Sequence, residues 1–253
     1  MKIDQIAAQI YTVREHLKTP ADIAASLKKV RQIGYEAVQA VSTDVVKPAE
    51  LGKMIKDAGL VACSAHDGGI LTDAKAVADK MKALGASFVS YPYPGVKLET
   101  LADVQSLAKG LNEAGKVLHD SGITLTYHNH SIEFRRFSGK LMLDVLYGET
   151  DPKNLQGEID TYWVQHGGGD SEDWCRKLKG RLPCLHMKDY MVTSESRPTF
   201  TEIGNGNLDW KKIVPAAEAS GCKWYIVEQD TCPGDPFDSL KMSFDYIKAN
   251  LTS

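Results

Sequence analysis

The sequence predicts an α/β fold, a TIM (β/α)8 barrel built as one domain over residues 1–253. Short β-prone runs alternate with longer amphipathic runs eight times, with no break in composition between them. Such alternation implies parallel strands joined by right-handed crossovers. Eight units in about 250 residues is what a barrel of this kind needs. A doubly wound open sheet is the alternative, but no G-x-G-x-x-G follows the first strand.

The elements follow in order. Ile6–Val13 reads as the first strand, and Thr19 caps a helix that begins at Pro20 and stops at Gly34. Tyr35–Val41 is the second strand, followed by a helix from Pro48 to Gly59. Leu60–His66 is the third, and Thr72 is expected to cap the next helix, which runs through Leu84 to Gly85. Ala86–Pro92 is the fourth, before a long helix over Leu98–Asp120. Ile123–His130 is the fifth, with a helix near Leu141–Tyr147 after it. Leu155–Trp163 is the sixth, and Ser171 is expected to cap a helix through Leu178. Leu182–Asp189 is the seventh, before a polar loop to Gly206 and a helix over Leu208–Ser220. Lys223–Asp230 is the eighth, and Phe237–Leu251 is the closing helix.

Bulk chemistry narrows the function classes. A net charge of −3 and short, scattered basic clusters argue against a nucleic-acid partner. No apolar run approaches the roughly 18 residues of a membrane span, and the N-terminal stretch has no signal-peptide core. The five cysteines are odd in number and show no C-x-x-C spacing, so free thiols in a reducing, cytoplasmic setting are expected.

Barrel enzymes carry their chemistry at the C-terminal ends of the strands. Strand residues alternate faces, so side chains two apart share one face. His128 and His130, Glu158 and Asp160, His186 and Lys188, and Glu228 and Asp230 form such pairs on strands five to eight. One His or carboxylate from each strand makes a mixed nitrogen–oxygen ligand set for a divalent metal. The candidate ligands are His128, Asp160, His186 and Glu228. Glu228, Lys188 and His130 are the candidate catalytic groups, and His66, Glu158, Trp163 and Glu202 the candidate substrate contacts. Taken singly, each is as readily a structural residue, and Lys188 as readily a salt-bridge partner of Glu158 or Asp160. Such a set suits manganese, zinc, cobalt, iron or magnesium.

The segment Glu202-Ile203-Gly204-Asn205-Gly206 precedes a helix. Its glycines leave backbone N–H groups for an anion or hydroxyl, or simply form a loop with an N-cap near Asn207. Tyr91, Tyr93, Tyr162, Trp163 and Trp210 could stack on a sugar, pack, or form a contact in a homo-oligomer.

The Tyr-His-Asn-His end of strand five, Asp160-Thr161-Tyr162-Trp163, Leu185-His186-Met187-Lys188-Asp189, Glu202–Gly206 and Val227-Glu228-Gln229-Asp230 resemble the xylose isomerase-like TIM-barrel superfamily, in its sugar phosphate isomerase/epimerase branch. The resemblance covers essentially the whole chain. It implies one divalent metal, often manganese, on four ligands from strands five to eight. The Glu, Asp, His and Glu of ketose epimerases correspond to His128, Asp160, His186 and Glu228, and the epimerase His three residues after the Asp is Trp163 here. His128 thus replaces one of two opposed acid/base glutamates. The implied activity is isomerisation or epimerisation of a sugar or polyol by proton abstraction beside a carbonyl. A lyase or dehydratase acting on a keto-sugar or keto-glycoside is the alternative. An endonuclease IV-like nuclease and a non-catalytic sugar-binding barrel are weaker ones.

Overall fold

The computed structural model describes residues 1–252. Eight parallel strands close into a barrel: β1 (Ile6–Gln9), β2 (Ala37–Val41), β3 (Val61–His66), β4 (Phe88–Tyr91), β5 (Thr124–His128), β6 (Gln156–Asp160), β7 (Cys184–Met187) and β8 (Trp224–Val227). Each strand pairs with its neighbours in sequence, and β8 closes onto β1 through Ile6↔Tyr225 and Ala8↔Val227. The helices α1 (Pro20–Ile33), α2 (Pro48–Asp57), α3 (Ala74–Leu84), α4 (Leu101–Asp120), α5 (Met142–Gly148), α6 (Thr161–His166), α7 (Ser171–Lys177), α8 (Trp210–Ala219) and α9 (Pro236–Asn250) occupy the connections and the C-terminus.

The period-2 rule sorts the barrel interior into two layers. At the N-terminal end Ala7, Ala37, Cys63, Phe88, Cys184 and Ile226 form a small apolar plug. One step toward the C-terminal end, the inward positions turn polar: Gln9, Gln39, Ser64, Glu158 and His186 are all fully buried. A register shift opposite Val38 and Gln39 brings Ser64 level with Gln39. The outward strand residues, such as Val38, Val89, Leu125, Ile159 and Leu185, join the helices in one large core.

Several boundaries move, each for a local reason. β1 ends at Gln9, where its side chain accepts the Tyr11 N–H and turns Ile10–His16 into 3-10 geometry. β6 ends at Asp160, whose carboxylate caps the next turn by accepting the Trp163 N–H at 3.0 Å. Trp163 therefore sits on α6 and not on a strand. Asp73, not Thr72, caps α3, and Asp170, not Ser171, caps α7, because a carboxylate is the stronger acceptor for those N–H groups. Thr100 caps α4, which starts at Leu101, three residues later than predicted. The polar loop before Gly206 contains a hairpin, Asp189–Val192 with Pro198–Thr201. The cysteines are free. Among the described residues no helix is long and apolar enough to cross a membrane.

Candidate metal centre

The C-terminal ends of β5 to β8 bring His128, Asp160, His186 and Glu228 together, each buried, with one ligand atom apiece inside a 4.8 Å circle. His128 Nε2 lies 3.5 Å and His186 Nδ1 3.9 Å from Asp160 Oδ2, and His186 Nδ1 lies 3.2 Å from Glu228 Oε2. Buried carboxylate oxygens normally accept hydrogen bonds. Asp160 Oδ2 accepts none, although Lys188 Nζ stands 3.1 Å away; the lysine is close enough for attraction but not aligned to donate. A carboxylate oxygen without a donor, faced by two imidazole nitrogens, fits a cation held by nitrogen and oxygen.

Glu158 organises the floor beneath these candidate ligands. It is fully buried, and four donors converge on it: His66 Nε2 at 2.8 Å, His128 Nδ1 at 3.4 Å, His186 Nε2 at 3.2 Å and Gln39 Nε2 at 2.8 Å. An ionised carboxylate only accepts, so the nitrogens facing it carry protons. Gln39 must then turn its oxygen to His186 Nε2, and it does so at 2.6 Å. The opposite nitrogens, His128 Nε2 and His186 Nδ1, are the ones presented to Asp160 and Glu228. Ligand histidines are commonly oriented in this way by a carboxylate on the far nitrogen. This enclosure places Glu158 under the cluster and away from the open mouth.

Lys188 is the mirror case. It is buried, and its Nζ lies 2.6 Å from Glu228 Oε2, 3.0 Å from Asp230 Oδ2 and 3.1 Å from Asp160 Oδ2. The ion pair is thus with Asp160 and not Glu158. Burial opposes the lysine charge, but Asp160 and Glu228 outweigh it and raise its pKa. Burial also opposes the charge on Glu228 and on Glu158. Lys188 and His186 hold Glu228 well below the usual carboxylate range, and His186 with the facing histidines does so for Glu158. Asp160 is pushed up to about 6 by burial, against the pull of Lys188 and His186. His186 is raised to about 10, because Glu158 and Glu228 overcome its burial. Its Nδ1 proton is the one a cation would displace. Burial and His186 push His128 well below the usual histidine range.

His130 sits just beyond β5, half-buried, with its ring 4.9 Å from His128, 5.3 Å from Trp163 and 5.1 Å from Tyr93. Its Nδ1 and the Trp163 Nε1 are buried and have no hydrogen-bond partner. Burial and Lys188 push His130 down to about 3, keeping it neutral. Glu133 holds this segment in place, accepting from His130 N at 2.7 Å and from Tyr127 Oη at 2.8 Å. Asn129 faces the other way, and its Oδ1 accepts the Asp160 N–H at 3.0 Å.

Glu202 is not drawn into the cluster. Its carboxylate accepts from Ser239 Oγ at 2.7 Å and Thr201 Oγ1 at 3.2 Å. The N–H groups of the glycine turn are not free for a ligand, correcting that expectation. Asp189 accepts from Gly204 N at 2.8 Å, Gly206 N and Leu208 N at 3.3 Å, and Trp210 Nε1 at 2.7 Å. The helix that follows has Asp209, not Asn207, at its N-cap position, where no side chain makes a cap hydrogen bond. Sequence reading missed Gln9, Gln39, Glu133 and Asp189. A lone polar residue at the inward parity of an apolar strand was the available signal for the two glutamines.

A family model described as xylose isomerase-like TIM barrel matches residues 27–249. The chain belongs to that family. Within it, the chain is 27% identical over 159 residues to an inosose dehydratase of Geobacillus thermodenitrificans, covering 56% of this chain and 53% of that protein, so it spans about half of that relative's length. It is similar in fold to a sugar phosphate isomerase/epimerase from Parabacteroides distasonis, with TM-score 0.86, 22% identity and coverage of 99% of this chain and 96% of the other. It also matches an IolI protein with a bound zinc atom, with TM-score 0.72, 12% identity and coverage of 96% and 97%.

Proposed function

We propose that this chain is a metal-dependent enzyme that removes a proton beside a carbonyl of a sugar or polyol. The observation that carries this is the buried His128, Asp160, His186 and Glu228 set, with Asp160 Oδ2 left without a donor. These four residues would hold the metal, manganese first among the candidates. The metal, when bound, supplies Lewis-acid stabilisation of negative charge developing on the substrate oxygen. Glu228 is the proton acceptor, kept ionised by Lys188. Lys188 supplies positive charge to the same side of the mouth. His130 and Trp163 bind substrate hydroxyls through their unpartnered Nδ1 and Nε1.

Proton removal has two outcomes, and we favour elimination of a β-substituent over return of the proton at another position. Epimerisation wants two like acid/base groups facing each other across the carbon. Here Asp160, Glu228 and Asp230 gather around Lys188, whereas His66, His128 and His186 gather around Glu158, so the site is unsymmetric. The inosose dehydratase relative supports the same outcome. Isomerisation or epimerisation is the second reading, supported by the fold likeness to a sugar phosphate isomerase/epimerase.

Metal analysis with His128→Ala tests the common core. The variant is expected to lose both bound metal and turnover, and retention of both would refute the assignment. Reaction in deuterium oxide separates the outcomes: label in recovered substrate and in an isomeric product supports the second reading, and loss of water or an alcohol supports the first.

A further inference from the structure

The polar layer inside the barrel holds two buried glutamines that the chemistry above does not use. Gln9 on β1 pairs in register with Gln39 on β2, and Gln39 with Ser64 on β3, so the three side chains lie side by side on the inward face. An amide oxygen only accepts and an amide nitrogen only donates, so a partner of fixed role places each amide. The Tyr11 backbone N–H is such a donor. It stands 3.1 Å from Gln9 Oε1, which sends Gln9 Nε2 toward Gln39. Gln39 must answer that nitrogen with its oxygen, and it does.

The other end of Gln39 agrees. Its Nε2 donates to Glu158 Oε2 at 2.8 Å and to Ser64 Oγ at 3.1 Å, which places both hydrogens. Its Oε1 accepts from Gln9 Nε2 and stands 2.6 Å from His186 Nε2, which takes both lone pairs. Turning the amide over would set its nitrogen against the Gln9 nitrogen and its oxygen against the Glu158 carboxylate. His186 Nε2 lies nearer this oxygen than Glu158 Oε1, which is 3.2 Å away. An oxygen fixed as an acceptor calls for a hydrogen on Nε2, and Nδ1 is then the nitrogen left for Asp160 and Glu228 to face.

We propose that Gln9 and Gln39 are positioning residues for the metal centre: their amide chain, anchored on the Tyr11 N–H, makes His186 present Nδ1 to a cation. The proposal rests on the metal-dependent reading of the site. It adds residues from β1 and β2, on the side of the barrel that supplies none of the four candidate ligands. The floor then divides its work. His128 meets Glu158 directly through Nδ1, whereas His186 is addressed through Gln39. The turn after β1, where Gln9 accepts the Tyr11 N–H, is thereby tied to a candidate ligand on β7.

Zinc, which is diamagnetic, tests this by calorimetry and by ring-nitrogen NMR of isotopically labelled histidine. In the parent chain the zinc-bound nitrogen of His186 is expected to be Nδ1. Gln39→Met removes the acceptor, and zinc affinity is expected to fall about 10–100-fold, with His186 bound in part through Nε2. Gln39→Glu keeps an oxygen toward His186 and is expected to retain Nδ1 coordination. Gln9→Met leaves the contact between Gln39 and Glu158, so its loss is expected to be smaller, and it carries the test should Gln39→Met fold poorly. Zinc on Nε2 of His186 in the parent, or on Nδ1 alone in the folded methionine variants, would overturn the proposal. So would loss of Nδ1 coordination in Gln39→Glu, because the acceptor would then not be what matters. No zinc uptake by the parent would refute the metal centre itself, whereas uptake that the variants leave unchanged refutes the amide chain alone.

Discussion

Glu158 and Lys188 are buried ions in one barrel mouth, and their surroundings are inverted. The carboxylate is ringed by three histidines and a glutamine, the ammonium by three carboxylates. The partners decide what each ion does. Glu158 touches the far sides of the candidate ligand histidines, so it sets which nitrogen each presents without competing for a cation. Lys188 touches the candidate ligand carboxylates themselves, so it occupies the same electrostatic well that a metal would. One ion prepares the site and the other contests it.

The largest expected effect is on the lysine side. Lys188→Met leaves Asp160, Glu228 and Asp230 without their shared cation, and should lower the stability of the chelator-treated protein by about 3–5 kcal/mol. Denaturant titration measures this. The same variant should bind manganese more tightly, because a competitor is gone. Weaker binding would break the comparison.

Glu158→Gln acts in the opposite sense. The amide presents donors to nitrogens that now carry protons, so the ligand tautomers are no longer enforced. Metal affinity should fall about 10–100-fold, read by calorimetry on protein whose fold is verified by circular dichroism. Unchanged affinity would mean that the histidines keep their tautomers without Glu158.

A third buried acid sharpens the contrast with a smaller effect. Glu133 has only the Tyr127 hydroxyl and the His130 N–H for company, and burial pushes it up to about 7 from 4.5. Between those values the folded protein binds more protons than the unfolded chain, so this group's stabilisation is full at the acid end and is lost as pH rises through 7. Glu133→Gln should remove that loss. Its stability relative to the parent should improve between pH 5 and pH 8, by about 1–3 kcal/mol. A difference that is flat with pH would mean that the charge on Glu133 is compensated, as it is on Glu158.

The barrel was legible because alternation and period-2 pairing are properties of the chain alone. The convergence of His128, Asp160, His186 and Glu228 was legible because they fall at strand ends on one parity. What surrounds them was harder to read. Gln39 stands in Ala37-Val38-Gln39-Ala40-Val41, which reads as a plain buried strand, and its importance depends on Glu158, which lies 119 residues away. The end of β6 was misplaced because Thr161-Tyr162-Trp163 favours strand, whereas the Asp160 cap turns the chain into a helix. The glycine turn looked like an anion seat because its occupant, Asp189, comes from another stretch of the chain.

That last feature closes one seat that an anion could otherwise take. Asp189 already fills the turn, and a carbon at Cβ of Gly206 would lie 2.3 Å from its Oδ1. A phosphorylated sugar seated there would have to evict a resident carboxylate and overcome its repulsion. With both of its oxygens engaged and no room for a side chain at Gly206, Asp189 acts as the pin that fixes the connection between β7 and α8.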